Sequence, residues 1–433
     1  MEPNNSFVLK DVKVFTGNDI FHMGYVHVTN GTITQVGVGD FPGDVKDGIA
    51  IISQPGDTVI PGLIDAHIHA LGGDINSIEQ SLRFGVTTVC DMHNEPIDNA
   101  KLKELASISA NKSIYADFKC AGVGAVIEGG WPIPVIRKVF ANNPCGDHIV
   151  DQIVSTWPIL HEPEDAEPFV EQQVEENGAS YIKMFHEIGD TLGMDLPRPP
   201  MDIQRAVVAA AQKYGVITTG HAFSYAGAMD LLHAGADGLS HMFFDQPPSD
   251  DYVQIMLDKK AHCNPTLGQC ASQTVEGQDF QKSFFEDPFA QRLLIHKTAG
   301  EPMGLAAKQK PKASVLNAYS NTAALYRAGV PLILGTDAAG GSIGLPYGLG
   351  MHIEMRMFIE EVGMSPLDVL KSATSITAER FKFHDRGKVE CGRKADLVLV
   401  EGDVLEALSE KNGRCLPIKA VWRDGVLASS FSL

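Results

Sequence analysis

Eight short apolar runs spaced through the middle of a 433-residue chain constrain its fold more than any other feature. They lie at 59–64, 86–90, 114–120, 181–185, 216–219, 238–242, 261–264 and 332–335, and helical patterns fill several of the intervals. Three of those patterns run into a glycine, 202–214 into Gly215, 225–233 into Gly235 and 317–327 into Gly329. Glycine there supplies the left-handed residue that ends a helix. Ser365-Pro366 opens a further helix, with proline in its first turn. Strands that alternate with helices pair in parallel, because each helix carries the chain back across the sheet. Eight such units predict an α/β fold, a (β/α)8 TIM barrel. Two long connections, 121–165 and 267–316, break the rhythm. Connections of that length cover substrates or make subunit contacts, so a homo-oligomer is expected.

The ends of the chain read differently. Short β segments at 7–9, 12–15, 25–28, 32–36 and 49–52 alternate apolar with polar residues, and Asn30-Gly31 marks a hairpin tip. The last forty residues repeat this character with 397–400, 418–422 and the turn Asp424-Gly425. The two ends together predict one small β-sandwich domain, 1–60 plus 388–433, around a barrel domain at 61–387.

Charge and cysteine content narrow the partners. The chain carries 35 Lys+Arg against 54 Asp+Glu, a formal charge of −19, and so offers no general basic face for nucleic acid. With 44% hydrophobic and 21% charged residues it is an ordinary folded protein. No apolar run approaches the ~18 residues of a membrane-spanning helix. The start, Met1-Glu2-Pro3-Asn4-Asn5, has neither the basic nor the apolar region of a secretory signal. Seven scattered cysteines without a Cys-x-x-Cys pair read as reduced thiols, hence a cytoplasmic protein in which the sequons at Asn4, Asn30 and Asn111 go unused.

The residues with chemistry to offer stand at the ends of the apolar runs. His67 and His69 follow 59–64, and period-two alternation puts both imidazoles on one face within reach of a single ion. Alone, His-x-His divides evenly between a metal site and two polar strand-end residues. Lys183 follows Tyr181-Ile182 in a strongly apolar segment, His221 follows 217–220, His241 follows 238–240 and Asp337 follows 332–336. A barrel gathers its strand ends into a ring, so these six residues at five strand ends converge.

At these positions the chain resembles the metal-dependent amidohydrolase superfamily, most closely its imidazolonepropionase-like and prolidase-like branch, which includes ochratoxin-hydrolysing members. The resemblance rests on Pro61-Gly62-Leu63-Ile64-Asp65-Ala66-His67-Ile68-His69, on 85–89, Gly220-His221-Ala222, Ser240-His241 and Gly335-Thr336-Asp337-Ala338, and on 387–398 near the end. It implies a binuclear zinc site. His67, His69 and Asp337 would hold one ion and His221 and His241 the other, with Lys183 bridging them as a carboxylated lysine. A buried ammonium beside two dications is too costly, which agrees with conversion of Lys183 to an anionic oxygen ligand. The implied reaction is hydrolysis of a C–N bond in a small molecule, an amide, cyclic amide or N-acyl amino acid or dipeptide-like compound. Attack by a metal-bridging hydroxide is implied, with Asp337 as proton shuttle. An ester, lactone or organophosphate hydrolase on the same site, a carbon–carbon lyase and a non-catalytic oligomeric scaffold are the alternatives.

Other residues carry two readings each. His93, at the mouth of the second strand, faces substrate or is a hydrogen-bonded loop histidine. Trp131 in the first long connection caps an apolar substrate or packs its loop. Tyr225, four residues past His221, reaches substrate or opens a helix. His262 faces the barrel interior or the helices. Cys90-Asp91 stands where family members often carry Arg-Asp, leaving no counterpart of that arginine here. Gly340-Gly341-Ser342 reads as a flexible loop beside the site. His22, His27, His148, His161, His186, His233, His296, His352 and His384 read as surface or core histidines.

Overall fold

The computed structural model describes residues 5–43, 49–274, 283–295, 312–339, 345–410 and 415–433. The chain opens with β1 (Phe7–Phe15), β2 (Ile20–Thr29), β3 (Thr32–Val38), β4 (Ala50–Ser53) and β5 (Thr58–Pro61). The two segments expected at 7–9 and 12–15 are one strand, irregular around Asp11, whose φ is 60°. β2 and β3 form the expected hairpin, with Asn30 (φ 49°) and Gly31 (φ 76°) at the tip.

The middle of the chain supplies β6 (Leu63–Ile68), β7 (Val86–Asp91), β8 (Asp117–Cys120), β9 (Ile182–Phe185), β10 (Thr218–His221), β11 (Gly238–Ser240) and β12 (His262–Asn264). The first three form one parallel sheet and the last four another. Backbone contacts join the two sheets on both sides. Ala125 pairs with Met184 and donates its N–H to the Lys183 carbonyl at 2.8 Å. On the other side Cys263 pairs with Leu332, the Ile333 N–H reaches the Cys263 carbonyl at 2.9 Å, and the Ala66 N–H reaches the Leu334 carbonyl at 2.9 Å. The run 332–335 thus makes bridges to both neighbours rather than the ladder of a regular strand. Side chains from several of these segments, Ile64, Ala66, Cys90, Tyr181, Ile217 and Ile333, pack together with Phe381.

The apolar run at 59–64 requires correction, because it is two strands and not one. β5 belongs to the terminal sheet, pairing with β1 and with the late strand Leu397–Val400, whereas β6 begins after Gly62 and pairs with β7. At Gly62 a Cβ would lie 2.1 Å from Thr87 Oγ1, so only glycine lets the chain pass from one sheet to the other. The run at 114–120 also shortens. A 3-10 turn occupies Ser109–Ser113 and the strand starts at Asp117.

The predicted helices are Met201–Lys213, Tyr225–Ala234, Val315–Ala328 and Pro366–Ser372. Gly215 (φ 73°), Gly235 (φ 99°) and Gly329 (φ 80°) follow the first three in left-handed conformation. The connection 121–165 holds two helices, Ile133–Phe140 and Gly146–Val154. That at 267–316 holds Leu267–Ser272 and Pro288–Leu293, while its residues 275–282 and 296–311 lie outside the described residues.

β13 (Leu397–Val400), β14 (Ile418–Arg423) and β15 (Val426–Leu427) return to the opening strands, giving one eight-stranded sheet in the order β15-β14-β13-β5-β1-β2-β3 with β4 on β1. Phe7 stacks on Trp422 at 5.1 Å in its core. Buried Arg423 of β14 fastens this sheet to the middle, donating to the Tyr115 carbonyl at 2.9 Å and to Asp117 Oδ1 at 3.4 Å. Among the described residues no helix is long and apolar enough to cross a membrane.

Candidate metal centre

His67 lies near the end of β6 and His69 one residue beyond it, and alternation turns both rings to the same side. Their Nε2 atoms are 3.4 Å apart. Asp337, which follows the 332–335 segment, brings Oδ1 to 3.1 Å from each. Donor atoms of the three side chains therefore all lie within 4.8 Å of one another. The close approach needs Gly335, since a Cβ there would sit 2.7 Å from the His67 backbone nitrogen.

The backbone is strained at this point. Asp337 has φ 57° and His241 φ 95°, left-handed values that non-glycine residues adopt only when their surroundings enforce them. Here the Asp337 N–H donates to the His67 carbonyl at 2.8 Å and the His241 N–H to the Asn264 carbonyl at 2.7 Å. Buried Asp65 couples the two strand ends, accepting from His67 N (3.1 Å), Thr336 N (3.0 Å) and Thr336 Oγ1 (2.7 Å). Burial pushes its carboxyl up to about 7 against those hydrogen bonds.

His241 and His221 extend the cluster. Ring centroids are 4.9 Å apart for His67 and His241 and 4.6 Å for His241 and His221. His241 Nδ1 contacts Thr266 Oγ1 at 2.6 Å, which leaves Nε2 as its other donor atom. Lys183 points from β9 with Nζ 5.6 Å from the Phe185 ring centroid, fully buried and without a hydrogen-bond partner. The six residues singled out at the strand ends are thus brought to one place.

Electrostatics favour ligand forms. Burial, reinforced by the nearby Lys183 charge, lowers His67 to about 3, and burial also lowers His221 and takes His241 well below the usual histidine value. These imidazoles are neutral at pH 7, the form that can give a lone pair to an ion. Burial likewise brings Lys183 down to about 7, with Asp337 and Asp91 opposing it, so a substantial neutral amine fraction is present near neutrality. Burial also pushes Asp337 up, but the His67 charge, hydrogen bonds from His67 and His69, and the His241 charge together hold it well below the carboxylate range. The orphaned Lys183 Nζ and the convergent nitrogen and oxygen donors fit divalent ions of the zinc type.

The remaining candidates separate. His93 is buried, and its Nδ1 accepts the Gly124 N–H at 3.0 Å, which makes Nε2 the protonated nitrogen. Its ring lies edge-on to Trp157 (4.6 Å) and Phe185 (5.4 Å). Trp131 stacks on His221 (5.2 Å, 24°) and meets Phe223 edge-on. Tyr225 instead turns its ring to Phe243 and gives its N–H to Asp245. His262 begins β12, beside Gly238 and Phe381, at the opposite strand end from His241. His352 is a core histidine held between the Phe84 carbonyl (3.0 Å) and the Leu416 N–H (3.1 Å), and His186 pairs with Asp230. Asp91 accepts from Ala70 and His93 backbone N–H groups. Gly340-Gly341-Ser342 and His296 lie outside the described residues.

Sequence reasoning missed Glu187. It is buried two residues past β9, accepts the N–H groups of Gly189 (2.7 Å) and Phe223 (3.0 Å), and stands 3.4 Å from His221 Nε2. The signal was present: 183, 185 and 187 continue one alternating face.

Comparison with known proteins gives a consistent picture. A sequence model described as the Amidohydrolase family matches residues 58–428. Imidazolonepropionase of Geobacillus kaustophilus (strain HTA426) is 24% identical over 412 residues, covering 88% of this chain and 84% of that protein. Enamidase of Eubacterium barkeri is 28% identical over 187 residues, 38% of this chain and 46% of the enamidase, so the chain spans less than half of that relative. Among solved structures, molinate hydrolase superposes with a TM-score of 0.75 at 20% identity, covering 99% of this chain and 96% of the other. Ochratoxinase of A. niger does so with a TM-score of 0.71 at 19% identity, covering 98% and 95%.

Proposed function

This chain belongs to the amidohydrolase family, and from that premise we propose that it is a metal-dependent hydrolase of small molecules. It cleaves a C–N bond in an amide, cyclic amide or N-acyl amino acid or dipeptide-like substrate. The observation that carries the reading is the meeting of His67, His69 and Asp337 beside a buried Lys183 amine that nothing else satisfies. The middle of the chain is a (β/α)8 barrel at 61–387, supported by the backbone contacts joining the two parallel sheets on both sides. The β domain comprises 1–60 and 388–433, supported by the single sheet that both ends share.

His67, His69 and Asp337 would hold one zinc-like ion, His221 and His241 a second, and carboxylated Lys183 would lie between them. When bound, two such ions supply Lewis acidity for the scissile carbonyl and lower the pKa of water towards ~7. The chain's own groups do the rest. Asp337, ionised and hydrogen-bonded to two imidazoles, takes a proton as water oxygen bonds to the carbonyl carbon. It gives that proton to the nitrogen as the C–N bond breaks. His93 offers its Nε2–H to the substrate carbonyl side, while Trp131, Phe185 and Phe223 exclude water around the reacting groups. The enzyme works as a cytoplasmic homo-oligomer, a reading supported by reduced cysteines and the long connections.

Metal-reconstituted protein assayed on N-acyl amino acids, dipeptides, lactams and aryl amides tests this. Hydrolysis of at least one C–N class supports it. Failure on all of them with turnover of esters or lactones replaces it with the ester reading.

A further inference from the structure

Glu187 is a buried carboxylate that the reaction just described does not use. Its Oε1 accepts from Gly189 N and its Oε2 from Phe223 N, and Oε2 is the atom 3.4 Å from His221 Nε2. That ring nitrogen is buried and has no hydrogen-bond partner in the present geometry. A buried N–H without a partner is costly, and Glu187 is the carboxylate within reach. His241 shows the same arrangement completed, with one ring nitrogen tied to Thr266 and the other left over. Trp131 stacks on the His221 ring, and Phe223, whose N–H Glu187 takes, packs 4.6 Å from His221 and 4.7 Å from His241. The ring therefore has little freedom except in the tilt that Glu187 can set.

We propose that Glu187 is the positioning residue of His221. Its Oε2 accepts the Nε2–H of His221, fixes the tautomer and presents Nδ1 to the second ion. This rests on the two-ion reading above. Outer partners of metal-binding histidines typically change ion affinity 10–100-fold.

The test measures zinc affinity by competition with a chelator in the wild-type chain, Glu187→Gln, Glu187→Asp, His221→Ala and the double variant Glu187→Gln/His221→Ala. In the Gln variant the first ion stays tight, the second weakens about 10–100-fold, and the metal-free melting temperature stays within a few degrees. Asp recovers part of the loss. The double variant binds no more weakly than His221→Ala alone, because Glu187 acts through that ring. Unchanged second-ion affinity in the Gln variant, a further loss in the double variant, or equal loss of both ions with a lowered metal-free melting temperature overturns the assignment. Two ions in the wild type with any of those results overturns Glu187 alone. A wild-type chain that binds fewer than two overturns the two-ion reading and the proposal with it.

Discussion

Asp337 combines a strained left-handed backbone, a carboxylate held ionised and contact with two imidazoles. On the proposed reading it is both ligand and proton carrier, and an amide in its place keeps the shape while removing the base. Asp337→Asn should lower kcat on the best C–N substrate by about 10²–10⁴-fold, with metal content by elemental analysis largely retained. Near-normal turnover would remove Asp337 from the proton path. The six strand-end positions were legible because each is a ligand-type residue stranded at the end of an apolar run. Asp65 and Thr266 were not, since neither a buried carboxylate that accepts backbone N–H groups nor a hydroxyl that meets a ring nitrogen has a signature in a linear pattern. Glu187 was missed because the strand ends at Phe185, before the alternation reaches it. Tyr225 illustrates the converse. Its spacing from His221 suggested the site, but the helix it opens turns the ring to Phe243.

At the scale of elements, the passage from β5 to β6 joins the terminal sheet to the metal-bearing strand. Apolar residues continue across it, so the sequence showed one strand where packing requires two, and only Gly62 marked the change. Gly62→Ala places a methyl against Thr87 and should destabilise the fold by roughly 1–3 kcal/mol, the usual cost of overpacking. Thr87→Ala in the same chain removes the clashing Oγ1 and should restore part of the loss in urea unfolding. Equal stability of Gly62→Ala and wild type would show that the junction yields easily. The segment 332–335 was legible as apolar and as a bearer of Asp337, but its contacts with β6 and β12 depend on strands far from it along the chain, Cys263 meeting Leu332 and Ala66 meeting Leu334.

Over the whole molecule, burial of neutral histidines ties stability to pH. His262 and His352 lie away from the metal-binding side chains, and burial lowers them to about 3 and about 4. A depressed histidine contributes stability that is fully present above its unfolded value of ~6.5 and is lost as pH falls towards the folded value. Each should therefore forfeit about 2–3 kcal/mol by pH 4.5, measured by urea unfolding of chelator-treated protein between pH 7.5 and 4.5. A flat profile over that range would contradict their burial as neutral rings. The −19 charge, which excludes a general nucleic-acid surface, says little about the site, where neutral imidazoles surround one ionised aspartate.

On the proposed reading, amide cleavage depends on ions held by this cluster. Its most direct measurement strips the protein with a chelator and follows hydrolysis of the best C–N substrate while zinc is returned. No activity is expected at the start, followed by a rise that levels at about two ions per chain. Amide cleavage that persists in the metal-free protein, or zinc uptake that brings no cleavage, would contradict it.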